Sequence, residues 1–592
     1  MHFLMSRIDR SESNIYPIPP NCTVNQKTGY VLANVTNEYI SKSQSSKRGY
    51  SSHLKLGIGY AVEPKNWKNH RYMYANNNYF IYFNKAHLPE APRKNDNISI
   101  GLHVVIDQLC KESSLESILI QIFGVFDARL ILDLASYMIS EETAKFQHFP
   151  HWAKGEMLFS ACIRSDTFIS TFLKERLTVS KINQFKNIWA ESNIGNGNIY
   201  VCYDSTNVNC QADGVYLVQK GYAKDDTSLN QVNTDYVVRQ ADGLPLTFMQ
   251  FPGSIVDIAQ APEMIRFFSQ LGEHVVKNLT IICDRGYISE RNIDELDKYG
   301  INFLIMLRRD MSCCTRVLEK YAAQVKKNCN YIPEYDEFGL VVREKLFGHR
   351  KEPERNIVII WNQQLEASHR SMLYAILESK RKELDTAIKR QTQYSKQELE
   401  VKFSFFTLSI IPAGTIEVKK RGRGYAGRTE NVQAYIIERY EENNERIDKA
   451  LSHCGFRIMA SSGDTTASES RVAYSKRDCV EKVFRSLKTS MGMDVIGVTC
   501  DDSIHGKSLI WFVAAIIHSL LFLKLAPLRN RDRKKYTVPA VVRTLNEITA
   551  DRDFSTNKYI RRYQLDKQQK AIINVCNISE EYIDELISNS KN

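Results

Sequence analysis

The chain has 592 residues, 43% apolar and 25% charged, a mixture that supports sizeable cores and excludes wholesale disorder. Lys and Arg number 79 against 68 Asp and Glu, a net charge of +11; spread over so long a chain, this excess is compatible with a nucleic-acid partner without establishing one. Thirteen cysteines occur with no C-x-x-C pair, which argues against a zinc knuckle and for reduced, buried thiols in an intracellular protein.

The first residues, MHFLMSRIDR, lack the apolar core of a signal peptide. Residues 1–105 are rich in Tyr and Asn, with short runs such as YFIYF (79–83). They predict the strands and loops of a small N-terminal α+β module, a candidate for DNA binding. A helical region follows over 106–198. SSLESILIQIFG opens on Ser113 with Glu116 three residues later, the spacing of a capping box. RLILDLASYMI and TFISTFLKERL keep a helical apolar period, and NIGNGN (193–198) reads as the turn that ends it.

From 199 to 310 the period changes. IYVCYDST (199–206) predicts a strand ending at an acid, Asp204. YVVRQADGLPLTFMQF (236–251) predicts strand, Asp-Gly turn, strand; PEMIRFFSQLG (262–272) a helix; LTIICDRGY (279–287) a buried strand followed by Asp284; and INFLIMLRR (301–309) another strand. Together these make a mixed α/β sheet flanked by helices. Residues 311–455 predict an inserted β-rich domain, with strands at GLVVREKLF and NIVIIW, a polar helix at ELDTAIKRQTQYSKQELEV and a basic loop at KKRGRGYAGR (419–428). The chain returns to the sheet over 456–526. The apolar run SLIWFVAAIIHSLLFL (508–523) is shorter than the roughly 20 residues a membrane span needs and contains His518, so a buried helix is expected. Residues 527–592 open with LRNRDRKK and predict a basic C-terminal tail.

The chemistry centres on YSKRDCVEKVFRSLK (474–488). Read as one helix at about 100° per residue, it puts Tyr474, Arg477, Glu481 and Lys488 within an arc of about 60°. Val480, Val483, Phe484 and Leu487 form the neighbouring face, suited to packing on a sheet. Ligand sites in α/β sheets gather at the carboxyl ends of strands. If the strands bearing Asp204 and Asp284 are adjacent, the two carboxylates can share a cation, with Glu481 supplying a third ligand. An all-carboxylate set favours Mg²⁺ or Mn²⁺ over zinc, and two such ions suit phosphodiester cleavage. Each acid taken alone has an ordinary explanation, a turn-forming Asp or an exposed helix salt bridge.

YDST, CDRGY and the pattern Y-x-x-R-x-x-x-E-x-x-x-x-x-x-K, complete at Tyr474, Arg477, Glu481 and Lys488, resemble the Asp-Asp-Glu transposases of the bacterial insertion-sequence four group. HWAKGEMLFSACIRSDTFISTFLKERL (151–177) and GYSSHLKLGIGYAVEPKNW (49–67) resemble the N-terminal part of that family more loosely. The resemblance implies a ribonuclease-H-like fold with a β-rich insertion between the second Asp and the Glu. It implies Asp204, Asp284 and Glu481 as catalytic ligands of two Mg²⁺ or Mn²⁺ ions, and Tyr474, Arg477 and Lys488 as groups that hold DNA phosphates. It further implies excision and insertion of a mobile element at terminal inverted repeats, commonly through a DNA hairpin. The agent would be a homodimer in the bacterial cytoplasm, at the nucleoid, with no membrane partner.

Several residues stay open between two readings. Arg285 is a DNA contact or a local partner of Asp284. Lys420, Arg421 and Arg423 track a DNA backbone or sit on a solvated hairpin tip. Trp361 stacks on an extruded base or packs in a core, and the bases at 529–535 bind DNA or mark an exposed tail. Asp257 is expected to aid folding or DNA positioning without binding metal, and His505 and His518 to be structural. Two rival functions remain: a DNA-binding protein of the same fold that has lost cleavage, against which all three carboxylates argue, and a nuclease without strand transfer, which has no need of the Tyr-Arg-Lys set.

Overall fold

A computed structural model describes residues 10–11, 14–40, 50–83, 95–195, 197–221, 229–419, 429–553 and 558–589. The chain divides into two compact units, Met1–Arg93 and Lys94–Asn592. In the first, five antiparallel strands lie in the order Ile15–Pro17, Tyr72–Ala75, Tyr50–Ala61, Tyr30–Ile40, Cys22–Val24. Val31, Ala33, Ile58 and Met73 close their core. The YFIYF run is not a strand: Asn77–Tyr82 is a helix, because the Asn76 side chain accepts from the N–H groups of Asn78 and Tyr79 and caps it. Its rings Tyr79 and Phe80 pack on Tyr16. Residues Asn97–Ser99, expected in this module, belong to the second unit, where they pair with Thr549–Asp553.

The second unit opens with helices that include α1 (Val125–Glu141) and α2 (Val179–Asn193). The expected capping box at Ser113 is absent; the Ser113 hydroxyl instead donates to the Leu109 carbonyl at the end of the preceding helix. The chain then lays down β1 (Ile199–Asn209), β2 (Asn230–Arg239), β3 (Pro245–Pro252), α3 (Asp257–Ser269), β4 (Leu279–Cys283), α4 (Glu290–Tyr299) and β5 (Asn302–Met306). Next come β6 (Glu337–Lys345), β7 (Glu354–Trp361), α5 (Gln363–Arg390), β8 (Phe456–Ser461), α6 (Ala467–Ser475), α7 (Asp478–Ser490) and α8 (Asp501–Lys524). The strands form one sheet in the order β3-β2-β1-β4-β5-β8-β7-β6. β1, β4 and β5 run parallel and the other neighbours antiparallel. Parallel neighbours require crossovers, which α3 and α4 supply.

β6 and β7, expected in the inserted domain, therefore extend the central sheet. The reason is legible in NIVIIW: Ile357 and Ile359 enter the core on one face while Val358 and Ile360 enter the core on the other, and a strand buried on both faces needs cover on both. The insertion proper begins with α5. It contains the hairpin Phe406–Lys419 and Thr429–Glu442 and has its own small core around Leu377, Leu384, Phe403 and Ile437.

α8 is longer than its apolar run suggested. Its length and composition would suffice to cross a membrane, yet 78% of its apolar window is buried inside the protein. It packs under the sheet with α1 and α7, with Trp511 and Phe512 wholly enclosed. At Gly506 a Cβ would meet the Leu173 carbonyl oxygen at 2.3 Å. Gly506→Ala should therefore destabilise the protein. Ala gains about 1 kcal/mol of helix propensity, but pushing backbone apart in a packed core costs about 1–3 kcal/mol. Thermal unfolding checks this, and an equal or higher Tm would contradict the close approach. The expected C-terminal tail is also folded, as the helices Val538–Asn546, Lys567–Val575 and Glu580–Asn589 and two short strands. Past the basic cluster, Val538, Val541, Val542 and Leu545 recur at helical spacing and are buried. All thirteen cysteines are free thiols.

Candidate active site

β1 and β4 are neighbours, with Cys202 paired to Ile282. Two residues further on, the same register sets Asp204 beside Asp284. Adjacent strands lie about 4.8 Å apart, so the two side chains rise from one patch. Asp204 is not a strand end, however. β1 continues to Asn209 because Ser205–Asn209 pair with β2, while β4 stops at Cys283 and opens the space beside Asp204. Both acids are fixed locally: Asp204 Oδ1 accepts the Ser205 N–H at 2.9 Å and Asp284 Oδ1 the Arg285 N–H at 2.7 Å.

The stretch 474–488 is two helices where one was expected. α6 ends at Ser475, α7 begins at Asp478, and Lys476 and Arg477 form the joint. α6 is held at its start by a capping box between Thr466 and Glu469. Arg471 anchors it at 2.5 Å to Glu337 of β6, a buried carboxylate that Arg457 also contacts at 3.1 Å. α7 buries Val480, Val483, Phe484 and Leu487, the face expected from the sequence. The joint aims Arg477 at the two acids: Nη1 lies 3.2 Å from Asp204 Oδ2 and Nη2 2.6 Å from Glu481 Oε1. The Tyr474 hydroxyl donates to Asp284 Oδ1 at 3.3 Å. The two predicted aspartates and the predicted glutamate are thus gathered by the arginine and the phenol of the same motif.

The electrostatics follow from this arrangement. Burial works against the Arg477 charge, but Tyr474, Asp204, Asp284 and Glu481 together outweigh it and hold the guanidinium protonated more firmly than in water. Burial, then the Asp284 charge, pushes the Tyr474 phenol up, so it stays a neutral donor. Cys283 is kept a neutral thiol by burial and by the Asp204 charge, and Cys202 by its hydrogen bond with Cys479 and by burial. On the other face of the sheet, Asp235 of β2 was missed in the sequence reading. It accepts a hydrogen bond from Tyr203, its Oδ1 is buried without a partner, and burial pushes its carboxyl far up, so it is a neutral acid beneath the site. The sequence signal was an acid inside the apolar strand TDYVV.

Among the described residues no three His, Cys, Asp or Glu side chains stand ready-made around a cation; the Arg477 guanidinium lies between Asp204 and Glu481. The donor set nevertheless suits a hard divalent ion, since it consists of carboxylates and the nearby thiols are neutral.

Lys488 lies on α7 two turns beyond Glu481 and is half-buried. Arg285 is exposed and makes no ion pair among the described residues, so the local salt bridge to Asp284 is not formed. It lines a cavity of about 560 Å³ with Asp284, Tyr474, Arg309, Arg457 and His369. Nothing in the sequence singled out Arg309 or Arg457, which the sheet brings together from distant segments. Lys420, Arg421 and Arg423 lie outside the described residues. Trp361 is a packed residue: its Nε1 donates to Glu366 at 2.7 Å, and its ring meets Phe338 on one side and the Lys326 ammonium on another. Asp257 accepts from the Ser205 hydroxyl at 2.9 Å. His505 is hydrogen-bonded to Gln250, and burial, then Arg529, pushes His518 down to about 4, so it is neutral.

Three carboxylates are thus gathered by an arginine and a tyrosine beside a mixed α/β sheet. The chain belongs to the transposase DDE domain family, whose model matches residues 197–517, from the start of β1 into α8. It is a DDE transposase, and its family implies cleavage and strand transfer of DNA. Among solved structures, a piggyBac transposase synaptic complex with hairpin DNA is similar at 9% identity and a TM-score of 0.33, over 83% of this chain and 82% of that one. At that score the likeness is too slight to inform the site. No curated protein matches the chain.

Proposed function

We propose that the chain excises and inserts a mobile DNA element of the insertion-sequence four type, using Asp204, Asp284 and Glu481 as its catalytic carboxylates. The observation that carries this reading is the convergence of the motif on one point: Arg477 spans Asp204 and Glu481 while Tyr474 reaches Asp284. The order β3-β2-β1-β4-β5, with only β2 reversed among its three central strands, supports a ribonuclease-H-like core. The spacing of Tyr474, Arg477, Glu481 and Lys488 supports the insertion-sequence four group over a plain nuclease.

In this reading Asp204, Asp284 and Glu481 would hold two Mg²⁺ or Mn²⁺ ions, whose chemistry when bound would be to activate the attacking water or hydroxyl and to stabilise the departing 3′ oxygen. Arg477 balances the carboxylates before DNA arrives and then turns its fork to a phosphate, for which a guanidinium is suited. Tyr474 orients Asp284 through its hydroxyl. Lys488 places a point charge on the strand two turns along α7. The working form is a homodimer that holds two terminal inverted repeats together.

Glu481→Gln tests the assignment. The substitution keeps size and hydrogen bonding but removes the charge. It should lower Mg²⁺-dependent DNA cleavage by more than the roughly 10–100-fold that loss of an outer-shell partner costs, while DNA binding persists. Cleavage at the wild-type rate would remove Glu481 from the site.

A further inference from the structure

Two basic segments that are separate in sequence meet in the fold. A cavity of about 570 Å³ beside α7 is lined by Lys476, Lys482 and Arg485 from the α6–α7 region and by Arg533 from the LRNRDRKK segment. Its two acids are already engaged, Asp242 with Arg239 and Asp478 with Lys482. Among the described residues Lys476, Arg485, Arg531, Arg533, Lys534 and Lys535 form no ion pair, and all six are exposed. The segment is not a loose tail. The Asp532 carboxylate accepts from the N–H groups of Lys534 and Lys535 at 3.1 Å each and sets the turn.

Arg529, at the edge of the same segment, lacks an acidic partner among the described residues. Arg529 stacks 3.2 Å from the centre of the Phe522 ring, its Nε is buried without a partner, and burial and then Arg533 weaken its hold on its proton. Like charge gathered on one surface without acidic partners is costly in the free protein, and a polyanion relieves it. The unpaired cations around the cleft favour a polyanion as its occupant. It also adjoins the site. Arg485 lies one helical turn beyond Glu481, about 6 Å along the axis, comparable to two phosphate steps of roughly 3.4 Å each.

We propose that this cleft is a second DNA surface, which carries the phosphate backbone of duplex DNA of any sequence leading away from the active site. The proposal rests on the transposase reading but adds residues that the Asp-Asp-Glu motif does not contain. The test is the salt dependence of binding to a 30-bp duplex of random sequence. It compares the full-length protein with the triple variant Lys476→Ala, Arg485→Ala, Arg533→Ala and with Arg485→Lys, Arg533→Lys. Each lost phosphate contact should flatten the slope of log K against log salt by about 0.9. The triple variant should therefore lose about 2 to 3 units of slope and bind at least tenfold more weakly at low salt, while the lysine variant keeps the wild-type slope. An unchanged slope in the triple variant, in a protein that still cuts DNA, would overturn the cleft and leave the catalytic assignment standing. Wild-type protein that neither binds the duplex nor cuts DNA would overturn both.

Discussion

Arg477→Gln is expected to weaken the metal-free protein and, at the same time, to increase the stabilisation it gains from Mg²⁺ or Mn²⁺. Arg477 and Asp204 are mostly enclosed, at 15% and 17% side-chain exposure, whereas Glu481 is half exposed. The Arg477–Glu481 contact alone is therefore of the surface kind, about 0–1 kcal/mol. Losing the Asp204 partner is of the buried kind, about 3–5 kcal/mol when a charge is stranded without relaxation. Asp204 is open enough to draw in water, so a loss of about 1–3 kcal/mol is expected. With the guanidinium gone, the carboxylates repel one another and gain more from a cation. Ligand-linked stabilisation grows as RT ln(1 + [L]/Kd), so the rise in Tm on adding Mn²⁺ should exceed that of the wild type. Cleavage should nevertheless fall, because the fork that receives a phosphate is lost. A variant whose deficit Mn²⁺ does not narrow would mean that Arg477 is a packing residue and does not stand in for a cation.

Phe484→Ala should have the largest effect on stability, about 3–5 kcal/mol for an aromatic deleted from a closed core. The Phe484 ring meets Tyr236 edge-on at 5.6 Å, and Tyr236 in turn contacts Phe512 of α8 at 6.0 Å. Tyr236 is the β2 residue directly opposite Asp204. Phe484 thus fixes α7, and with it Glu481, against the strand pair that presents Asp204. The Ala variant should lose cleavage at temperatures where it is still folded, because the acid on α7 is no longer held in place. Phe484→Leu should cost less than about 1.5 kcal/mol and restore most of both properties. Denaturant unfolding and cleavage assays on the two variants check this; a destabilised Ala variant with full cleavage would break the link between the packing and the site.

The strands and the helix that carry the three proposed carboxylates were legible because their residues obey local rules. LTIICDRGY and IYVCYDST are apolar runs broken by an acid, and both became neighbouring strands. Val480, Val483, Phe484 and Leu487 gave away the buried face of α7. The break at Lys476–Arg477 was not legible, because both residues keep helical-type backbone angles and no Pro or Gly marks the joint. The place of NIVIIW in the central sheet was hidden too, since a run of five apolar residues does not say which sheet it joins. The helix at 77–82 was lost to aromatic content, with the capping Asn76 just outside the run. The folded C-terminal region was masked by the basic cluster ahead of it. Arg309, Arg457 and Asp235 carry no motif, and only the tertiary fold brings them to the site.

The most direct test is anomalous diffraction at the manganese edge from crystals grown with DNA and Mn²⁺. The account predicts ion density in contact with Asp204, Asp284 and Glu481, with Arg477 withdrawn from at least one of the two carboxylates it now spans. Manganese bound elsewhere, with Arg477 still bridging Asp204 and Glu481 in crystals that have cut their DNA, would contradict it.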